Sequence, residues 1–185
     1  MDLETLAMEL LEELGIRAGQ KVLDFGCGSG TYAIPASRIV GQGGRIYALD
    51  RDQLALDEVA QRADKAGIGN MERIKTSGIL EIDLEACSLD AVLLFDVFHR
   101  YYFPGDKERR ELLGELHRVL KPRGLLLVYP KHMEDEAERE IRTSGFDLRK
   151  KYSATLIHDE KDLVQGYVLV FERSGEDDRQ PARFQ

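Results

Sequence analysis

Apolar positions along the chain fall into two spacings that alternate. Residues 3–14 carry Leu3, Leu6, Leu10, Leu11 and Leu14 with acids between them, which is one apolar face of a helix, and Gly15 marks its stop. The run KVLDFG at 21–26 predicts a strand. Residues 31–40 predict a helix that starts late or bends, because Pro35 lacks a backbone donor. A second strand at 45–50 precedes a helix over 52–67, with Asp52 as its N-cap and Gly67 as its stop. A short third strand is expected at 71–77 and a fourth at 89–98. The fourth is almost continuously apolar, as a strand covered on both faces should be. Residues 106–122 predict a helix with a charged outer face, ended by Pro122 and Gly124. A fifth strand at 125–130 and a helix at 135–145 follow. The segments 146–157 and 164–172 read as two strands whose polar connection is too short for a helix, so they pair antiparallel. The polar tail 174–185 is expected to be disordered.

Strand and helix alternate five times before the closing hairpin. That order predicts an α/β fold of three layers, with a seven-stranded, mostly parallel sheet, an antiparallel last strand and helices on both faces. One domain over residues 1–173 is expected. Sheets of this kind bind ligands past the carboxyl ends of their strands, where the strand order reverses.

The chemistry gathers at those ends. Directly after the first strand, Gly26, Gly28 and Gly30 occupy alternate positions, where the backbone must turn sharply or let a ligand approach closely. A helix opens there, and helix N-termini attract anionic groups. The spacing differs from the G-x-G-x-x-G of dinucleotide folds, because Thr31 and not glycine follows Gly30, and no Gly-Lys-Ser/Thr ending marks a phosphate loop. An acid, Asp24, stands two residues before the first glycine. Asp50, at the end of the second strand and 20 residues after Gly30, suits a ribose diol.

Composition narrows the partners. The 185 residues carry a net charge of −8, so no basic surface for nucleic acid or acidic lipid is indicated. Cys27 and Cys87 stand apart without metal-ligand spacing, as suits a reducing, cytoplasmic setting. The acidic N-terminus has no basic segment of a signal peptide, and no apolar run approaches membrane-spanning length.

The segments VLDFGCGSG, IYALD, LDAVLLFDVFH and LHRVLKPRGLLLV, in this order, resemble a class I S-adenosylmethionine-dependent methyltransferase. The likeness is nearest to the small generic branch that includes ubiquinone-biosynthesis-type enzymes. It extends over about residues 1–173. The resemblance implies that Asp24 and the backbone of Gly26, Cys27 and Gly28 hold the methionine end of S-adenosylmethionine. Gly30 then permits close helix packing. Asp50 takes the ribose diol, with Arg51 and Leu54 beside the adenine. Ser77, Gly78 and Ile79 flank the adenine ring, although the family often has an acid near position 77. Phe95 and Asp96 line the methyl side. Cys27 is expected to contribute backbone and not thiol chemistry.

The acceptor side is less defined. His99 follows the fourth strand, and two roles compete for it: general base, or a histidine that packs near the cofactor. Tyr101, Tyr102 and Phe103 wall a pocket or anchor their loop. Tyr129, Lys131 and His132 leave the fifth strand near the same rim. His117 is expected to be structural and His158 to be a surface residue. Methyl transfer from a sulfonium needs chiefly proximity and alignment, and a base only where the acceptor loses a proton. The expected acceptor is a small molecule. Two other readings remain in view: a cofactor-binding module without turnover, and a nicotinamide-dependent oxidoreductase. The second lacks both the glycine spacing and a Tyr-x-x-x-Lys pair.

Overall fold

The computed structural model describes residues 2–76, 81–158 and 161–175. The elements run α1 (Leu3–Glu13), β1 (Lys21–Phe25), α2 (Ala33–Val40), β2 (Arg45–Asp50), α3 (Gln53–Lys65), β3 (Met71–Lys75) and β4 (Leu89–Phe95). They continue with α4 (Asp106–Val119), β5 (Leu120–Tyr129), α5 (Glu134–Thr143), β6 (Phe146–His158) and β7 (Asp162–Arg173). The sheet has seven strands in the order β3-β2-β1-β4-β5-β7-β6. β1 to β5 are parallel, and β7 alone runs against its neighbours β5 and β6. The order reverses between β1 and β4, so the loops after these two strands face each other across a crevice.

Both faces of the sheet are covered. Along β4, Ala91, Leu93 and Phe95 join one core layer with α1, α2 and α3, while Val92 and Leu94 join the other with α4 and α5. This is why that strand is apolar at nearly every position. Fully burying such side chains contributes about 1.5–3 kcal/mol each. No helix among the described residues is long and apolar enough to cross a membrane.

Two boundaries differ in an informative way. The helix at 31–40 does start late, at Ala33, which places Pro35 within its first turn. The N–H that proline lacks would have had no intrahelical partner there. The helix expected over 106–122 stops at Val119, and the strand begins at Leu120 and so contains Pro122. The register jumps from Leu89 opposite Leu120 to Ala91 opposite Leu125. The extra residues are looped out, with Arg123 in the left-handed region at φ 64°. A proline is tolerated at such a bulge because no ladder bond is asked of it.

Candidate active site

The glycine loop closes on its own backbone. Gly26, Gly28 and Gly30 have φ of 76°, 52° and 93°, values that favour glycine. Each meets a different neighbour. A methyl group on Gly26 would lie 2.5 Å from Val97, in the loop after β4, and one on Gly30 would lie 2.4 Å from Val59 of α3. One on Gly28 would meet nothing within 4 Å among the described residues. Gly30 therefore serves helix packing, as expected, and Gly28 keeps space open. The N–H groups of Gly26 and Cys27 donate to the Leu49 carbonyl at 2.8 and 3.0 Å. The loop is pinned further by Arg62 of α3, which donates to the Ser29 carbonyl at 3.0 Å and to its hydroxyl at 2.9 Å.

Asp50 ties the loop to β2. Its Oδ2 accepts from the Gly28 N–H and its Oδ1 from the Asp52 N–H, both at 2.9 Å. Asp52, not Asp50, caps α3 by accepting from the Leu54 N–H. Each Asp50 oxygen keeps a lone pair for a further donor such as a ribose hydroxyl. Arg51 lies 5.3 Å from the centre of the Tyr102 ring, and Leu54 is 77% exposed at the same mouth. Ser77, Gly78 and Ile79 lie outside the described residues. Asp24 is buried on β1, and its carboxyl is pushed up to about 7 by burial first and then by Asp50, against the pull of the Ala33 N–H. Such a group holds its proton until a cation arrives to stabilise the charge. The Cys27 thiol is buried and its pKa is raised by burial and by Asp24 and Asp50. That suits a residue contributing backbone and opposes a reactive thiolate.

The loops after β4 and β5 bring the remaining candidates together. Phe95 packs edge-on against Tyr32 at 4.7 Å between ring centres. Asp96 follows with φ 54°, while Lys131 and His132 have φ of 33° and 64°. Left-handed residues of this kind cost on the order of 1 kcal/mol each and here end two neighbouring strands. Asp96 Oδ2 lies 2.8 Å from His158 Nδ1 and 3.4 Å from Lys131 Nζ. Lys131 Nζ also lies 3.1 Å from His158 Nε2. Asp96 Oδ1 is buried without a hydrogen-bond donor among the described residues, His99 Nε2 coming only to 3.6 Å. These groups line a cavity of about 570 Å3 together with Tyr101, Tyr102 and Met133. Size alone does not mark the site: a groove of about 610 Å3 between α1 and β6 carries Glu9, Glu12 and Glu13 but none of the residues at the strand ends.

His99 is turned into its own loop. Its Nδ1 accepts from the Tyr101 N–H at 3.3 Å, and its Nε2 lies 3.1 Å from the Asp96 carbonyl. Tyr101 is 81% exposed and stacks edge-on with Tyr102. Tyr129 is buried at the end of β5, and His117 packs against Phe146. His158 corrects the sequence reading. It is not a surface residue but faces Asp96 and Lys131, because the long β6 carries it back to the rim of the parallel strands. Tyr32 helps hold it there by accepting from the N–H of the preceding residue, Ile157, at 2.9 Å. Arg62, Tyr32 and His158 were not visible as site residues, since each acts across more than 30 positions.

One further acidic cluster, Asp106, Glu136 and Glu140, has metal-like spacing. Arg109, 1% exposed, fills it, forking onto Glu140 at 2.8 Å twice and reaching Asp106 at 2.6 Å. The charges there are already matched by a guanidinium that joins α4 to α5.

A protein-family model described as "Methyltransferase domain" matches residues 22–124, more than half of the chain. Among curated proteins, the chain is 29% identical over 129 residues to a probable cobalt-precorrin-6B C(15)-methyltransferase (decarboxylating) of Saccharolobus solfataricus. That match covers 69% of this chain and 61% of the relative. It is 29% identical over 183 residues to the sterol 24-C-methyltransferase of Eremothecium gossypii, covering 93% of this chain and 47% of that protein. The chain thus spans about half of the length of these curated relatives. Among solved structures, an S-adenosylmethionine-dependent methyltransferase of Aquifex aeolicus superposes with a TM-score of 0.75 at 23% identity, over 92% of each chain. That likeness speaks to the fold.

Proposed function

Because the chain belongs to the methyltransferase-domain family, we propose that it is a class I enzyme moving the methyl group of S-adenosylmethionine to a small-molecule acceptor. Residues 1–173 are then the catalytic domain. The observation that carries the reading is the join between the glycine loop and Asp50. The Gly28 N–H fixes the carboxylate at 2.9 Å, and the space above Gly28 is open. The residues fit the cofactor in three respects: an open cradle at Gly28, lone pairs left on Asp50 for a diol, and a buried Asp96 oxygen that wants a donor.

When bound, S-adenosylmethionine supplies an electrophilic methyl group on sulfur. The protein supplies position. Asp50 would hold the ribose hydroxyls, and Arg51 and Leu54 would border the adenine. Asp24, whose pKa is pushed up to about 7, would ionise fully beside the methionine ammonium. Phe95 and Asp96 would line the side from which the acceptor approaches. Alignment of this kind is worth several orders of magnitude in rate, because it replaces a chance encounter with a fixed geometry. His99 has both ring nitrogens occupied within its loop; it holds that loop and Tyr101 in place at the cavity mouth.

Calorimetric titration with S-adenosylmethionine and S-adenosylhomocysteine tests the reading on wild type and Asp50→Ala. Micromolar binding of both ligands to wild type, weakened at least tenfold in the variant, is expected. A folded wild-type protein that binds neither overturns it.

A further inference from the structure

The three groups Asp96, His158 and Lys131 come from the ends of β4, β6 and β5 and meet within 3.4 Å. Asp96 and Lys131 reach the contact only from left-handed backbone. The arrangement orders the imidazole. Lys131 is a donor at Nε2, so Nε2 carries the lone pair and Nδ1 the proton, and Nδ1 stands at ion-pair distance, 2.8 Å, from Asp96 Oδ2. A carboxylate behind Nδ1 and a cationic donor in front of Nε2 is the disposition of a base waiting for a substrate proton.

We propose that His158, oriented by Asp96, is a catalytic residue that takes the proton of an acceptor hydroxyl, and that Lys131 then holds the oxyanion. The acceptor is accordingly a small phenol or enol. This assignment rests on the methyltransferase reading above. The Lys131 ammonium now stands where the acceptor hydroxyl would stand. Its side chain is 30% exposed, and the acceptor would displace it. On entry of the acceptor, the O–H bond breaks and the proton joins Nε2, giving an imidazolium between Asp96 and the substrate. The oxygen's electron pair forms the new O–C bond as the carbon–sulfur bond breaks, and that second pair stays on sulfur. Lys131 stabilises the oxyanion before transfer.

The cavity's charge agrees. The chain carries −8 overall, yet among the described residues that line this cavity Asp96 is the one acid, set against Lys131 and Arg100 and three histidines, His99, His132 and His158. Among the described residues, Tyr101 and Tyr102 line the same cavity, and the Tyr32 hydroxyl bonds the backbone beside His158. Arg100, on the same rim, is turned to Glu136 at 2.9 and 3.0 Å. Asp96 is a positioning residue for His158 in this scheme.

The test uses 4-nitrophenol, whose absorbance reports its own ionisation, added to the full chain saturated with S-adenosylhomocysteine. The dye bound to wild type should ionise about one pH unit or more below the free dye, as a neighbouring cation and base require. Lys131→Met and His158→Gln should each lose most of that shift, while their affinity for S-adenosylhomocysteine stays within about twofold of wild type. Asp96→Asn, which tolerates the left-handed backbone, should move the midpoint of the dye's pH profile toward that of the free dye. The proposal is overturned if the dye does not bind the complex, binds without a shift, or shifts as far in both variants as in wild type. Failure of wild type to bind S-adenosylhomocysteine would instead sink the methyltransferase reading itself.

Discussion

Alanine at Gly28 and alanine at Gly30 should separate ligand binding from stability. The two positions lie two residues apart in one loop, and both have positive φ. At Gly28 the backbone sits near the left-handed helical region, and the added methyl meets nothing within 4 Å among the described residues. The expected stability cost is therefore that of placing alanine there, about 1–2 kcal/mol. At Gly30, φ is 93°, and the methyl would stand 2.4 Å from Val59 and 3.2 Å from Ile34, both core residues. Backbone strain of about 1–3 kcal/mol then adds to overpacking of about 1–3 kcal/mol. For a chain of this size each kcal/mol moves the midpoint of thermal unfolding by about 2–4 °C. Gly30→Ala should thus melt well below Gly28→Ala in urea and thermal unfolding. Calorimetry with S-adenosylhomocysteine should give the opposite order. Gly28→Ala fills the one open cradle of the loop and should lose at least tenfold in affinity, while folded Gly30→Ala retains more. Wild-type affinity in Gly28→Ala would refute the placement of the cofactor over that residue. Equal stability of the two variants would refute the packing argument.

Two further outcomes follow from buried charge. Asp24 has a folded pKa raised to about 7 from 3.8. Between these values the native state keeps a proton that the unfolded chain has released, so stability falls as pH rises through that window, by about 4 kcal/mol if nothing compensates. Asp24→Asn should flatten this decline in unfolding measured from pH 4 to 8. Cofactor binding near pH 6 should release a proton, read as a buffer-dependent calorimetric enthalpy, and a decline unchanged in Asp24→Asn would count against the assignment. Arg109→Ala should remove the cation from among Asp106, Glu136 and Glu140 and cost about 3 kcal/mol, in the range for breaking a buried pair. Millimolar magnesium or calcium should leave the wild-type melting temperature unchanged, because the guanidinium already occupies the acidic cluster.

The parts of this protein that were legible in sequence are those built from local pattern. The glycine loop, Asp50 as a strand-end acid and the doubly covered β4 each announce themselves within about ten residues. The helix over α4 was extended past Val119 because Pro122 and Gly124 read as a helix stop, whereas the structure uses them in a strand bulge. Local signals for the end of a helix and for an interrupted strand are the same residues, and only pairing with β4 decides between them.

The acceptor side shows the other limit. His99 was conspicuous because it follows a motif, yet its ring bonds to its own turn. His158 carried no signal, since what matters is its place opposite Asp96 after a 62-residue return of the chain. That return is set by the reversed strand. β7 enters antiparallel between β5 and β6, so β6 runs parallel to β4 and β5 and ends on the same side of the sheet. In the observed order β6 is the edge strand, and the other order would have set β6 directly beside β5 with β7 at the edge. The insertion of β7 therefore sets where the His158 end of β6 stands relative to the ends of β4 and β5, and periodicity shows the hairpin without showing the order in which its strands insert.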